Sequence, residues 1–94
     1  MTNKTAAELH YDRFFTSASA VTRAGTSEVT LEEAQVKRVL VAAATETVLL
    51  VDSSKLGRSA LARALDWDAI SVLVTELDPA DARLDPFRGL AEVR

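Results

Sequence analysis

The chain has no cysteine, which removes disulfides, a thiolate nucleophile and any cysteine metal site, and fits a reducing compartment; the cytoplasm is the expected location. Its one histidine, His10, has no second imidazole to join it, so neither a zinc site nor a histidine-based triad has the material it needs. Aromatic residues make up 5% of the chain, and Phe14, Phe15, Trp67 and Phe87 are too scattered for a base-stacking platform. Core or interface packing is their expected role. The three glycines form neither a G-x-x-x-x-G-K-[ST] nor a G-x-G-x-x-G pattern, and no cofactor is expected. Eleven Lys plus Arg against fourteen Asp plus Glu leave a charge of −3, which is no footprint for a polyanion, so direct nucleic-acid binding by this chain alone is not expected. The longest apolar runs, Val39 to Ala44 and Val48 to Val51, fall far short of the roughly 18 to 20 residues that cross a bilayer. The polar start Met1 to Lys4 also lacks a secretory hydrophobic region, and no membrane association is expected.

What is present is the material of one small domain: 94 residues, 48% hydrophobic and 27% charged. A chain of this size buries roughly 65% of its unfolded surface, a thin margin that makes self-association an expectation. Ala6, Ala7, Leu9 and His10 predict a short helix, and Phe14 to Ala18 a short strand. Thr30-Leu31-Glu32-Glu33 reads as a capping box that opens a helix over residues 30–44. Val36, Val39, Leu40 and Ala43 recur on one stripe, the side expected to pack on a sheet. Glu33 and Lys37, one turn apart, read as a surface ion pair. Thr47 to Val51 is continuously apolar, as a strand is when helices cover both its faces. Gly57 permits a tight turn, Ser59 to Leu65 reads as a short helix, and Ile70 to Val74 as another buried strand. Strand, helix, strand, helix, strand implies an α/β layered parallel sheet. The segment from Leu77 holds both prolines, Pro79 and Pro86, with at most a helix start over 79–84; the organised core is placed at about residues 9–75.

In such a sheet, ligands bind beyond the carboxyl ends of the strands. Asp52-Ser53-Ser54-Lys55 lies there. Lys55 is a point charge for a phosphate or carboxylate, the serines offer hydroxyls, and Asp52 accepts from a sugar hydroxyl or orients the lysine. The same residue types equally serve to cap the next helix, with Lys55 simply solvated.

The strings Glu33-Ala34-Gln35-Val36-Lys37-Arg38, Val48 to Arg58 and Leu73-Val74-Thr75 resemble the effector-sensing domain of DeoR-type bacterial transcription regulators, with Asp-Ser-Ser-Lys-x-Gly-Arg the most specific part. Tyr11 to Phe15 and Gly25 fall where that family has a strand and a glycine loop. The resemblance implies a three-layer fragment of the ribose-phosphate isomerase and CoA-transferase-like fold. It also implies a phosphorylated-sugar effector, with Lys37, Asp52 and Lys55 facing the pocket beside Ser53 and Ser54. The related isomerases carry a catalytic glutamate where this chain has Lys37, so the enzyme's general base is missing. Glu33, a turn away, is no substitute without the geometry.

A full regulator of this type also has a winged helix-turn-helix and a Gly-Ser-Thr-Thr-like phosphate loop, and this chain is read as starting after both. Leu56 and Glu76 stand where Phe and Asp are common. The expectation is therefore a single partial sensor domain over residues 1–94 that binds its effector weakly, because a backbone anion cradle is missing. The rivals are a small sugar-phosphate isomerase-like enzyme and a purely dimerising interaction module.

Overall fold

In the computed structural model, which describes residues 11–94, the chain's β-branched and apolar runs pair into a parallel sheet. Its strands are β1 (Tyr11–Thr16), β4 (Ala44–Leu50), β6 (Val72–Val74) and β7 (Glu92–Val93), in the order β1-β4-β6-β7. All three pairings are parallel, and β4 is internal. The chain thus has an α/β fold. The helix expected at Ala6 to His10 lies outside the described residues.

Between β1 and β4 come the hairpin strands β2 (Ala20–Thr22) and β3 (Gly25–Glu28), then helix α1 (Leu31–Ala42). Thr30 caps α1 by accepting the Glu33 N–H at 3.2 Å, which is the expected first half of the capping box. The helix ends at Ala42 and β4 begins at Ala44, so the strand takes the last residue that the sequence reading gave to the helix.

The face that α1 buries differs from the expected stripe. Ala34 and Val41 are its buried residues, whereas Val36, Val39, Leu40 and Ala43 are half-buried. Ala34, Lys37, Arg38 and Val41 follow i, i+3, i+4, i+7 spacing, so the half-buried Lys37 shares the inward side of the helix and the exposed Arg38 flanks it. A hydropathy stripe cannot show this, because both charges are matched by partners distant in sequence. Arg38 donates to the carbonyls of Arg63 and Ala64, and Lys37 pairs with Glu28 rather than with Glu33.

Those carbonyls lie at the end of β5 (Ala62–Arg63) and just after it, and this strand corrects the helix expected over Ser59 to Leu65. Thr26 N–H donates to the Leu65 carbonyl at 2.8 Å, Ala64 N–H to the Thr26 carbonyl at 2.9 Å, and Ala60 N–H to the Ser27 hydroxyl at 2.8 Å. Tertiary hydrogen bonds therefore override the helix propensity of Ala, Leu and Arg. The result is a second, antiparallel sheet in the order β2-β3-β5. The second crossover runs through this strand and two 3-10 turns instead of a helix.

Leu49, Leu73, Ala34 and Val21 are fully buried in one core cluster. The segment beyond Leu77 joins it: Leu84 is fully buried, Phe87 is 3% exposed, and β7 extends the sheet. A 3-10 turn at Ala82–Phe87, capped by Asp81, stands where a helix start was expected over 79–84. Trp67 packs against Phe87 with ring centroids 5.6 Å apart, and its indole N–H donates to the Thr22 carbonyl at 2.8 Å. The opposite face of the sheet is less well covered than the apolar run of β4 implied. Phe15, level with Val48, is 58% exposed, and Leu50 on the same side is 43% exposed. No helix among the described residues is long and apolar enough to cross a membrane.

Candidate functional site

Parallel pairing puts the carboxyl ends of β1, β4 and β6 on one edge, and four loops meet there. After β4, Asp52 accepts the Ser54 N–H at 3.0 Å and opens a 3-10 turn over Ser53–Lys55. The Ser54 hydroxyl donates to the same carboxylate oxygen, the main cause that holds the Asp52 carboxyl below its usual range. From the end of β6, Glu76 reaches across. Its oxygens accept the Ser53 N–H at 2.8 Å, the Ser53 hydroxyl at 2.6 Å and the Thr75 hydroxyl at 2.7 Å. With the Ser53 hydroxyl the largest contributor, these bonds lower the Glu76 carboxyl to about 2. Asp52, Ser53 and Ser54 are thus tied into one turn. The Lys55 ammonium has no ion pair among the described residues.

Lys37 stands at the end of β1. Its ammonium donates to the Ser17 carbonyl at 2.6 Å and lies 3.0 Å from Glu28 Oε2, so it is committed there and not to the Asp52 turn. Glu28 is 1% exposed; Ser19 donates to its Oε1 at 3.2 Å, while Oε2 has the ammonium beside it but no well-aligned hydrogen bond. Sequence reasoning missed this carboxylate because Gly25–Glu28 looks like a polar loop. All four residues are nonetheless buried, as a strand between two others.

The turn between β2 and β3 completes the edge. Gly57 N–H donates to the Val21 carbonyl at 2.7 Å, and a bridge links Val21 to Leu56, which binds this hairpin to the loop after β4. Gly25 holds the turn with a φ of 132°, and a Cβ there would stand 2.1 Å from the Leu65 carbonyl oxygen, so no other residue fits without movement. Between the hairpin, the Asp52–Gly57 loop and the 82–87 segment opens a cleft of about 430 Å³ bordered by Arg23, Ser53, Leu56, Arg83 and Phe87. Neither Arg23 nor the cleft was apparent from the sequence.

Among the described residues no group of three acidic or imidazole side chains gathers to hold a metal ion. A search of the curated proteins finds no match to the chain. Comparison with protein families matches residues 1–77 to DeoRC, the DeoR C terminal sensor domain. The match covers most of the chain, including β1 to β6 and the turn that ties Ser53 to Glu76, and on this ground the chain belongs to the DeoR C-terminal sensor domain family, the effector-sensing part of DeoR-type regulators.

Proposed function

We propose that this domain senses a phosphorylated sugar at the carboxyl edge of its parallel sheet. Lys55 takes the phosphate, and the Ser53 and Ser54 hydroxyls and Asp52 meet the sugar hydroxyls, while Lys37 borders the edge with its charge balanced by Glu28. The observation that carries this reading is the contrast within one turn: Asp52 and Ser54 are bonded to each other and Ser53 to Glu76, while the Lys55 ammonium beside them makes no direct ion pair among the described residues. Phosphate recognition by a lysine needs such an uncommitted charge on a fixed frame.

Binding is not followed by chemistry. A general base must come within about 3 Å of the proton it removes. Glu28, the carboxylate nearest to Lys37, is buried and held by Ser19 and that lysine. The domain works in the cytoplasm and does not bind duplex DNA by itself, consistent with a charge of −3 and no cysteine. The exposed Phe15 and Leu50 on one sheet face support self-association, and sedimentation at tens of micromolar showing a strict monomer would refute that part.

The test is a chemical-shift titration of the chain with pentose and hexose phosphates. Saturable binding with a dissociation constant no tighter than about 1 mM, roughly −4 kcal/mol, is expected. Lys55→Ala should abolish it and leave the fold intact. No response to any sugar phosphate would leave an interaction module, and isomerisation of ribose-5-phosphate would establish an enzyme.

A further inference from the structure

Nearly every cation of this domain has its charge matched. Among the described residues Arg13, Lys37, Arg63, Arg83, Arg88 and Arg94 each pair with a carboxylate, and Arg38 is spent on two carbonyls. Arg23, Lys55 and Arg58 are the exceptions, and they are not scattered. Arg23 sits on the β2–β3 turn, while Lys55 and Arg58 sit on the loop after β4. The Gly57–Val21 hydrogen bond and the Leu56–Val21 bridge hold those two loops side by side. The Asp52 and Glu76 carboxylates share this edge, and three cations without direct partners on the adjoining loops shift its local field toward positive.

That field borders the 430 Å³ cleft, whose lining is mostly apolar through Leu56, Pro86 and Phe87. Arg83, on the far wall, is already forked onto Asp81 at 2.9 and 3.1 Å, so its charge is cancelled. Arg23 is therefore the uncommitted guanidinium at the cleft. Its backbone is fixed from both sides, by the Trp67 bond to the Thr22 carbonyl and by the close approach of Gly25 to Leu65. From that anchored backbone the exposed Arg23 side chain is free to turn toward the cleft, and a guanidinium offers two parallel N–H donors to two oxygens of one phosphate, which an ammonium cannot do.

We propose that Arg23 is a second phosphate-binding residue of this domain, holding the phosphate from the hairpin side of the cleft while Lys55 holds it from the turn, with the carbon face of the sugar resting on Leu56 and Pro86. The proposal rests on the sugar-phosphate reading above. It adds a residue outside the Asp52–Lys55 turn and a direction for the ligand, from that turn toward the hairpin.

The experiment is an amide chemical-shift titration of the whole chain at low ionic strength with ribose-5-phosphate, fructose-6-phosphate, unphosphorylated ribose and inorganic phosphate. The two sugar phosphates should move signals of residues 22–25 and 56–58 in the wild type, and ribose should not. Arg23→Gln should weaken binding at least about tenfold, or roughly 1.4 kcal/mol, and Arg23→Lys should restore part of it. Arg13→Gln, which removes a cation already paired with Glu46, should stay within about twofold of wild type. Wild-type affinity in Arg23→Gln, or shifts confined to Ser17, Glu28 and Lys37, would overturn this inference while the sugar-phosphate reading stands. Silence of the wild type toward both sugar phosphates would overturn that reading, and the inference with it.

Discussion

Lys37 and Glu28 share one ion pair, but cutting it from the two ends should have unequal consequences. The carboxylate is 1% exposed and the lysine side chain is 18% exposed. Lys37→Met keeps the aliphatic stem and strands a charge whose only other partner among the described residues is the Ser19 hydroxyl. Leaving a buried charge uncompensated costs about 3–5 kcal/mol. Glu28→Gln keeps the shape and the Ser19 contact, and the remaining ammonium still has the Ser17 carbonyl and a path to water. Its loss should be about 1–2 kcal/mol. Against a total stability of roughly 5–15 kcal/mol, the first change consumes a large share and the second does not. The double variant removes both charges and should be more stable than Lys37→Met alone. Urea unfolding at pH 7, with the slopes compared to confirm a shared denatured state, measures all four species. Equal losses in the two single variants within about 0.5 kcal/mol, or a double variant that loses the sum of both, would refute the reasoning.

Gly25→Ala forces a Cβ to 2.1 Å from a backbone oxygen at positive φ, so its loss in denaturant unfolding should exceed the roughly 1 kcal/mol of an ordinary backbone-entropy effect; a neutral result would mean that the hairpin moves freely. Leu84→Ala should cost about 2–5 kcal/mol, because this fully buried side chain anchors the last quarter of the chain; a loss under about 1 kcal/mol would show that the segment is not integral to the core. The Glu76 carboxyl is depressed, so its bonds to Ser53 persist below the usual value of 4.5 and are lost only as the pH falls through about 2. The Ser53 amide signal followed against pH should show that low midpoint, and a midpoint near 4.5 would contradict it.

The elements legible in the sequence were those whose residues decide their own conformation. Thr47 to Val51 announces β4 through its β-branched apolar run, and Thr30 announces the start of α1 through a cap that needs only Glu33 N–H. The misread elements are decided by distant partners. Ser59 to Leu65 has helical residue types, yet Thr26, Ser27 and Arg38 hold it extended; the alternation of buried Ala62, exposed Arg63 and buried Ala64 was the available signal. The same distinction divides the site. Asp52 to Lys55 could be found because the turn follows its strand directly. Glu28, Arg23 and the cleft could not, since the contacts that bring them to the edge join residues from β2 to Phe87.

Most strand pairs in this domain join distant parts of the chain, and that has a kinetic consequence. Thr16 faces Leu49 and Ser27 faces Arg63, so each of those pairings closes a loop of about a third of the chain before it gains a hydrogen bond. Among the described strands only the β2–β3 hairpin is local, and hairpins form in about 1–10 μs. Such a topology folds on the slower millisecond-to-second scale. On the ribosome, at roughly 5–20 residues per second, β3 waits a few seconds for the partner that covers it, and Glu28 waits with it. Until β4 emerges, the apolar side chains of β1 have no mate within their own chain. Crowded synthesis of many copies is therefore when this domain is most open to pairing with the wrong strand.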